Sequence, residues 1–104
     1  VYFREIITVH KKKMGKYAEY ATFHGNFKER ISLSELMKKL DSNEFFLVDR
    51  SNIINLRNVQ SIRDNVICLE EGHTLELNQY RIDAAKKKIE AYWREREWDD
   101  KSMS

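Results

Sequence analysis

The chain has 104 residues, 41% of them hydrophobic and 35% charged, with one cysteine, no proline and a formal net charge of +2. That length holds one modest core and excludes a deep multi-layer active site, and no apolar run approaches the roughly 20 residues that span a bilayer. Residues 1–40 carry nine Lys or Arg against four Asp or Glu, and residues 41–104 carry ten against thirteen, so attraction for an anionic partner concentrates in the first part.

Tyr2, Phe3, Ile6, Ile7 and Val9 predict a first strand, followed by the basic run Lys11, Lys12, Lys13, Met14, Gly15, Lys16, which ends in a glycine turn. Residues 17–23 and 27–31 are aromatic-rich and flank His24, Gly25, Asn26, the pattern of a hairpin in which Gly25 supplies the permissive backbone. Leu33, Leu36, Met37 and Leu40 then fall at i, i+3, i+4 and i+7. With Ser32 and Glu35 placed as a capping box, residues 33–40 read as a short amphipathic helix. Residues 45–48 predict a buried strand. After a polar step, residues 59–62, 66–69 and 74–77 predict three short strands joined by turns at 63–65 and 70–73. From Ile82 onward the pattern is helical, with Ile82, Ala85, Ile89 and Tyr92 or Trp93 on one face, Trp93 being expected in the core; residues 99–104 are expected to fray. One domain over residues 1–104 accounts for the whole pattern. The missing initiator methionine and signal-peptide pattern raise the expectation that the chain starts inside a larger protein.

The most informative stretch is FFLVDRSNIINL, residues 45–56, in which Asp49, Arg50, Ser51 and Asn52 interrupt two apolar runs. Strands that enter the core on both sides force these four residues into a surface turn. A loop held at both ends presents Arg50, Ser51 and Asn52 at small entropic cost, and all three side chains hydrogen-bond base edges or phosphates. Other roles are open to the same residues. Arg50 can pair with Asp49 or Asp41, Asn52 and Asn55 can serve as turn formers, and the lysine run can be a solvated turn.

The text SLSELMKKLDSNEFFLVDRSNIINL, followed by DNVICLEEGHTLELNQYRIDAAKKKIE, resembles the LytTR-type DNA-binding domains. Those carry an FFR.HRSYIVNL-like segment after an SLKELEE.L-like helix, then an N.I.L..G..L.VSR.R-like strand pair running into a C-terminal helix. The resemblance implies a mainly β fold, an elongated stack of small antiparallel sheets with a short amphipathic helix and a C-terminal helix. It also implies that loops, not a recognition helix, enter neighbouring major grooves. Arg50 stands where such domains carry a DNA-contacting Arg, Lys or Asn; Ser51 matches as a brace or phosphate contact and Asn55 as a loop brace. Asp49 replaces the usual histidine and Asn52 the usual aromatic. The later contact loop corresponds to Asn78, Gln79, Tyr80 and Arg81, in which Asn78, Gln79 and above all Arg81 are candidate contacts. The family's N-terminal contact loop corresponds to Lys11, Lys12, Lys13 and Lys16, candidates for phosphate attraction.

The resemblance therefore implies the double-stranded DNA-binding output domain of a bacterial response regulator, cytoplasmic, preceded by a receiver domain and paired as a homodimer on repeated half-sites. The alternative is a protein-interaction module using sheet edges and the C-terminal helix. Neither an enzyme, a cofactor nor a metal is expected: His10, His24 and His73 lack ligand spacing, Glu70 and Glu71 share a solvated turn, and no Gly-rich phosphate loop occurs. Cys68, alone in the apolar run 66–69, reads as a small hydrophobe in a reducing compartment. RNA stacking on Tyr17, Tyr20 and Phe23 conflicts with their spacing, because one strand face cannot hold all three.

Overall fold

A computed structural model of the chain describes the backbone of residues 3–103 and the side chains of residues 3–96. Five strands, β1 (Ile6–His10), β2 (Ala18–Thr22), β3 (Gly25–Glu29), β4 (Phe45–Leu47) and β5 (Asn52–Asn55), form one antiparallel sheet in the order β3-β2-β1-β5-β4. A second antiparallel sheet holds β6 (Val59–Arg63), β7 (Val66–Leu69) and β8 (Thr74–Glu76) in sequence order. Two helices, α1 (Leu33–Lys39) and α2 (Gln79–Met103), complete the fold. The molecule is elongated, with principal extents of 46 × 31 × 25 Å.

The central strands β1 and β5 are buried on both faces, which explains their apolar runs, whereas the edge strand β3 is exposed along its length. Neighbouring side chains point to opposite sides, so Phe45 and Ile53 enter one core while Phe46 and Ile54 face the other. Leu33, Leu36 and Leu40 of the α1 segment cover the first side, together with Ile6, Val9, Ala18 and Tyr20. On the second side, Ile82, Ala85, Ile89 and Tyr92 of α2 pack against Ile7, Val48 and Ile54, and the same core takes in Ile67 and Leu69 of the second sheet. Thus α2 ties the two sheets together. Truncating a fully buried residue here, such as Ile54→Ala, removes about 2–5 kcal/mol.

Local chemistry sets most element ends. Ser32 caps α1, its hydroxyl accepting from the Glu35 N–H at 3.1 Å, the first half of the anticipated capping box. The second hairpin turns one residue earlier than its sequence suggests: Thr22 pairs with Gly25, leaving a two-residue Phe23-His24 loop, and Gly25 takes φ 119. The Thr22 hydroxyl holds that loop by accepting from the His24 N–H and donating to the Gly25 carbonyl. β1 starts only at Ile6, because Phe3–Glu5 form a 3-10 turn; Tyr2 lies outside the described residues. α2 starts three residues ahead of Ile82, since the Asn78 side chain accepts from the Arg81 N–H at 2.8 Å and caps the helix. Tyr92 takes the core position beside which Trp93 is 37% exposed, correcting the placement of Trp93 in the core. The side chains of Trp98 and of the expected frayed tail, residues 99–104, lie outside the described residues.

Between the sheets, two asparagines do the bracing. Asn55 is fully buried; its amide donates to the Ile6 carbonyl at 2.9 Å and its oxygen accepts from the Arg57 N–H at 3.1 Å. Asn58, also buried, donates to the same Ile6 carbonyl at 2.8 Å. Both lone pairs of one carbonyl are thereby used, which fixes the path from β5 into β6 relative to β1. Asn55 is thus a brace, as the family resemblance implied, and more than a turn former; Asn58 carries no sequence signal that distinguishes it from a turn former.

Candidate nucleic-acid interface

Antiparallel pairing of β1 with β5 sets His10 opposite Asn52. The loop leaving β1 and the loop entering β5 therefore emerge side by side at one end of the sheet, joined by a 2.9 Å bond from the Lys11 N–H to the Ser51 carbonyl. Within the second loop, Asp49 is half-buried and faces its own backbone: its carboxylate accepts from the Ser51 N–H at 2.8 Å and from the Asn52 amide at 3.0 and 3.1 Å. The Asn52 oxygen in turn lies 2.9 Å from His10 Nδ1. An amide oxygen only accepts, so Nδ1 carries the proton in that bond and Nε2 is left for another partner.

Asp49, Asn52 and His10 thus form a chain of hydrogen bonds beneath the loop, and Arg50 projects from its crest. Arg50 is exposed, and among the described residues it makes no hydrogen bond or ion pair. The alternative of an Arg50–Asp49 or Arg50–Asp41 ion pair is not realised there. Ser51, half-buried, contributes its backbone to both loops.

The neighbouring basic loop divides its lysines between two tasks. Lys11 is half-buried and its ammonium donates to the Ile31 carbonyl at 3.0 Å, clipping the loop to the chain beyond β3. Lys12, Lys13 and Lys16 are exposed. A bond of 2.8 Å from the Gly15 N–H to the Lys12 carbonyl closes a four-residue turn. Gly15 is needed there for room, since a Cβ would lie 3.0 Å from that carbonyl oxygen. Arg30, which follows β3 and escaped the sequence reading, joins Lys11, Lys16 and Glu35 around an open concavity on the same end of the sheet. Only strand order brings it there: β3 antiparallel to β2 returns the chain to the end where β1 finishes.

Asn78, Gln79 and Arg81 occupy a second, separate place. They follow β8 at the end of the three-stranded sheet, where the Leu77 N–H donates to the Asn65 carbonyl at 2.9 Å. Asn78 is exposed and caps α2, Gln79 donates to Asp83 at 2.9 Å, and the half-buried Arg81 has its guanidinium carbon 5.9 Å from the Tyr80 ring centroid. Among the described residues no hydrogen bond links this group to the Arg50 loop. Nor does any group of three or more His, Cys, Asp or Glu among them stand ready to hold a metal ion, and no helix is long and apolar enough to cross a membrane.

Comparison with known proteins identifies the family and the fold. The family model described as the LytTr DNA-binding domain matches residues 1–90. No curated protein matches the chain. Among solved structures, the chain is similar to the LytTr DNA-binding domain of a protein from Bacillus cereus described as a methyl-accepting/DNA response regulator. The TM-score is 0.75 at 18% identity, over 86% of this chain and 84% of that one. At that identity the structural likeness speaks for the fold.

Proposed function

The chain belongs to the LytTr DNA-binding domain family, and from that premise we propose that it reads double-stranded DNA sequence through two loop groups. Arg50 supplies the base-reading fork, suited to O6 and N7 of guanine in the major groove. Lys12, Lys13 and Lys16 hold flanking phosphates, with Lys11 positioning their loop, and Ser51 and Asn52 support Arg50 from below. Asn78, Gln79 and Arg81 form the second group, directed at an adjacent stretch of duplex. The observation that carries this reading is Arg50, free among the described residues yet mounted on a loop braced by Asp49, Asn52 and His10. In this reading the domain is the output half of a response regulator, joined to a receiver domain and paired as a homodimer on repeated half-sites.

A salt series on the 104-residue chain and labelled duplex tests it. With about four phosphates neutralised, affinity should fall about a hundredfold between 50 and 200 mM salt. The rival, a protein-interaction module whose edge strand β3 is exposed along its length, predicts no DNA affinity with that slope.

A further inference from the structure

Among the described residues, the most exposed large apolar side chain lies in neither core. Met14 is 95% exposed and stands third in the turn closed by Gly15 and Lys12, with φ 68. That position of a type II turn takes φ > 0 and favours Gly or Asn; a methionine is held there against its preference. The adjacent glycine does not relieve it, because Gly15 is fixed one residue later by its close approach to the Lys12 carbonyl. The chain therefore presents a flexible thioether in a loop whose other exposed side chains are the cations Lys12, Lys13 and Lys16 and, where the loop enters β2, Tyr17. The Lys11–Ser51 bond seats this loop beside that of Arg50.

A thioether has nothing to offer a phosphate. On the polyanion that these lysines attract, the groove edges carry one apolar group, the thymine 5-methyl, and it faces the major groove. We propose that Met14 is a specificity-determining residue that packs its thioether against a thymine 5-methyl while the neighbouring lysines hold phosphates. The inference rests on the DNA-binding reading and adds to it a preference that no hydrogen-bonding side chain supplies.

The test is a uracil scan. Duplexes enriched by the chain from a randomised pool are remade with each thymine replaced in turn by deoxyuridine, which deletes only the methyl. At one thymine of the site, the wild-type chain should bind about fourfold more weakly, the factor for one buried methyl group. Met14→Gly suits the positive φ and so keeps the turn; it should bind the thymine and uracil forms alike at that position, with an unchanged or higher Tm. Met14→Leu should restore the discrimination. An identical uracil profile for wild type and Met14→Gly, or a wild-type profile flat at every thymine, overturns the assignment. A wild-type chain that enriches no duplex and shows no steep salt slope removes the DNA-binding premise and the inference together.

Discussion

Asp49→Ala separates bracing from contact at the Arg50 loop. The carboxylate receives the Ser51 N–H and the Asn52 amide, at 2.8 to 3.1 Å. At about 0.5–1.5 kcal/mol net for each of these two donors, its loss removes about 1–3 kcal/mol. Water reaches this half-buried loop, so the lower half of that range, about 1–2 kcal/mol, is the expectation, which lowers Tm by about 5–15 °C in a domain of this size. Asp49→Asn keeps an acceptor for Ser51 and should lose about half as much. The consequences for DNA run in opposite directions. Removing an anion favours phosphate, so binding to random duplex should hold or strengthen, while the unbraced Arg50 loses its preference for the selected site. Thermal melting and paired competition assays against selected and random duplex measure both. An unchanged Tm together with an intact ratio of selected to random affinity would refute the bracing role.

Further outcomes follow from other contacts. Asn55→Ala takes a donor from the buried bond to the Ile6 carbonyl and the acceptor from the Arg57 N–H and should destabilise the domain by about 2–3 kcal/mol, seen as a lower urea midpoint at unchanged m-value. Gly15→Ala drives a methyl to 3.0 Å from the Lys12 carbonyl oxygen and should open the turn at a cost of about 1 kcal/mol, read by the same titration. Tyr20 predicts an alkaline effect. Burial first, and then the 2.5 Å hydrogen bond to Glu29 and that carboxylate's charge, raise its hydroxyl pKa well above the ordinary value of about 10. The folded state thus keeps the proton longer than the unfolded one, so this contribution is complete below about pH 10 and lost as pH rises beyond it. Unfolding at pH 9 and pH 11 should show a larger loss for wild type than for Tyr20→Phe; equal losses would contradict the assignment.

Much of the fold was legible because periodicity reports burial directly. The Leu33, Leu36, Leu40 stripe, the Ser32 cap and the apolar runs at 45–48 and 53–56 correspond to α1, β4 and β5. Where the reading slipped, a local interaction decided the matter. The Thr22 hydroxyl tightened a hairpin, Asn78 started a helix early, and Tyr92 took the core place that Trp93 could have filled. The polar loop at 49–52 was visible as an interruption between strands, but its internal support was not. That Asn52 bridges Asp49 to His10, 42 residues away in sequence, follows from the β1–β5 register, which no local pattern encodes. Arg30 escaped for the same reason, and Asn58 because its role depends on sharing the Ile6 carbonyl with Asn55.

The central claim is base readout by Arg50, and enrichment sequencing from a randomised duplex pool tests it most directly, with wild type and Arg50→Ala run side by side at one salt concentration. Wild type should enrich a defined motif that Arg50→Ala fails to enrich, while a single Lys12→Ala keeps the motif and flattens the salt slope by about one. A folded Arg50→Ala chain that enriches the same motif as strongly as wild type would contradict the claim.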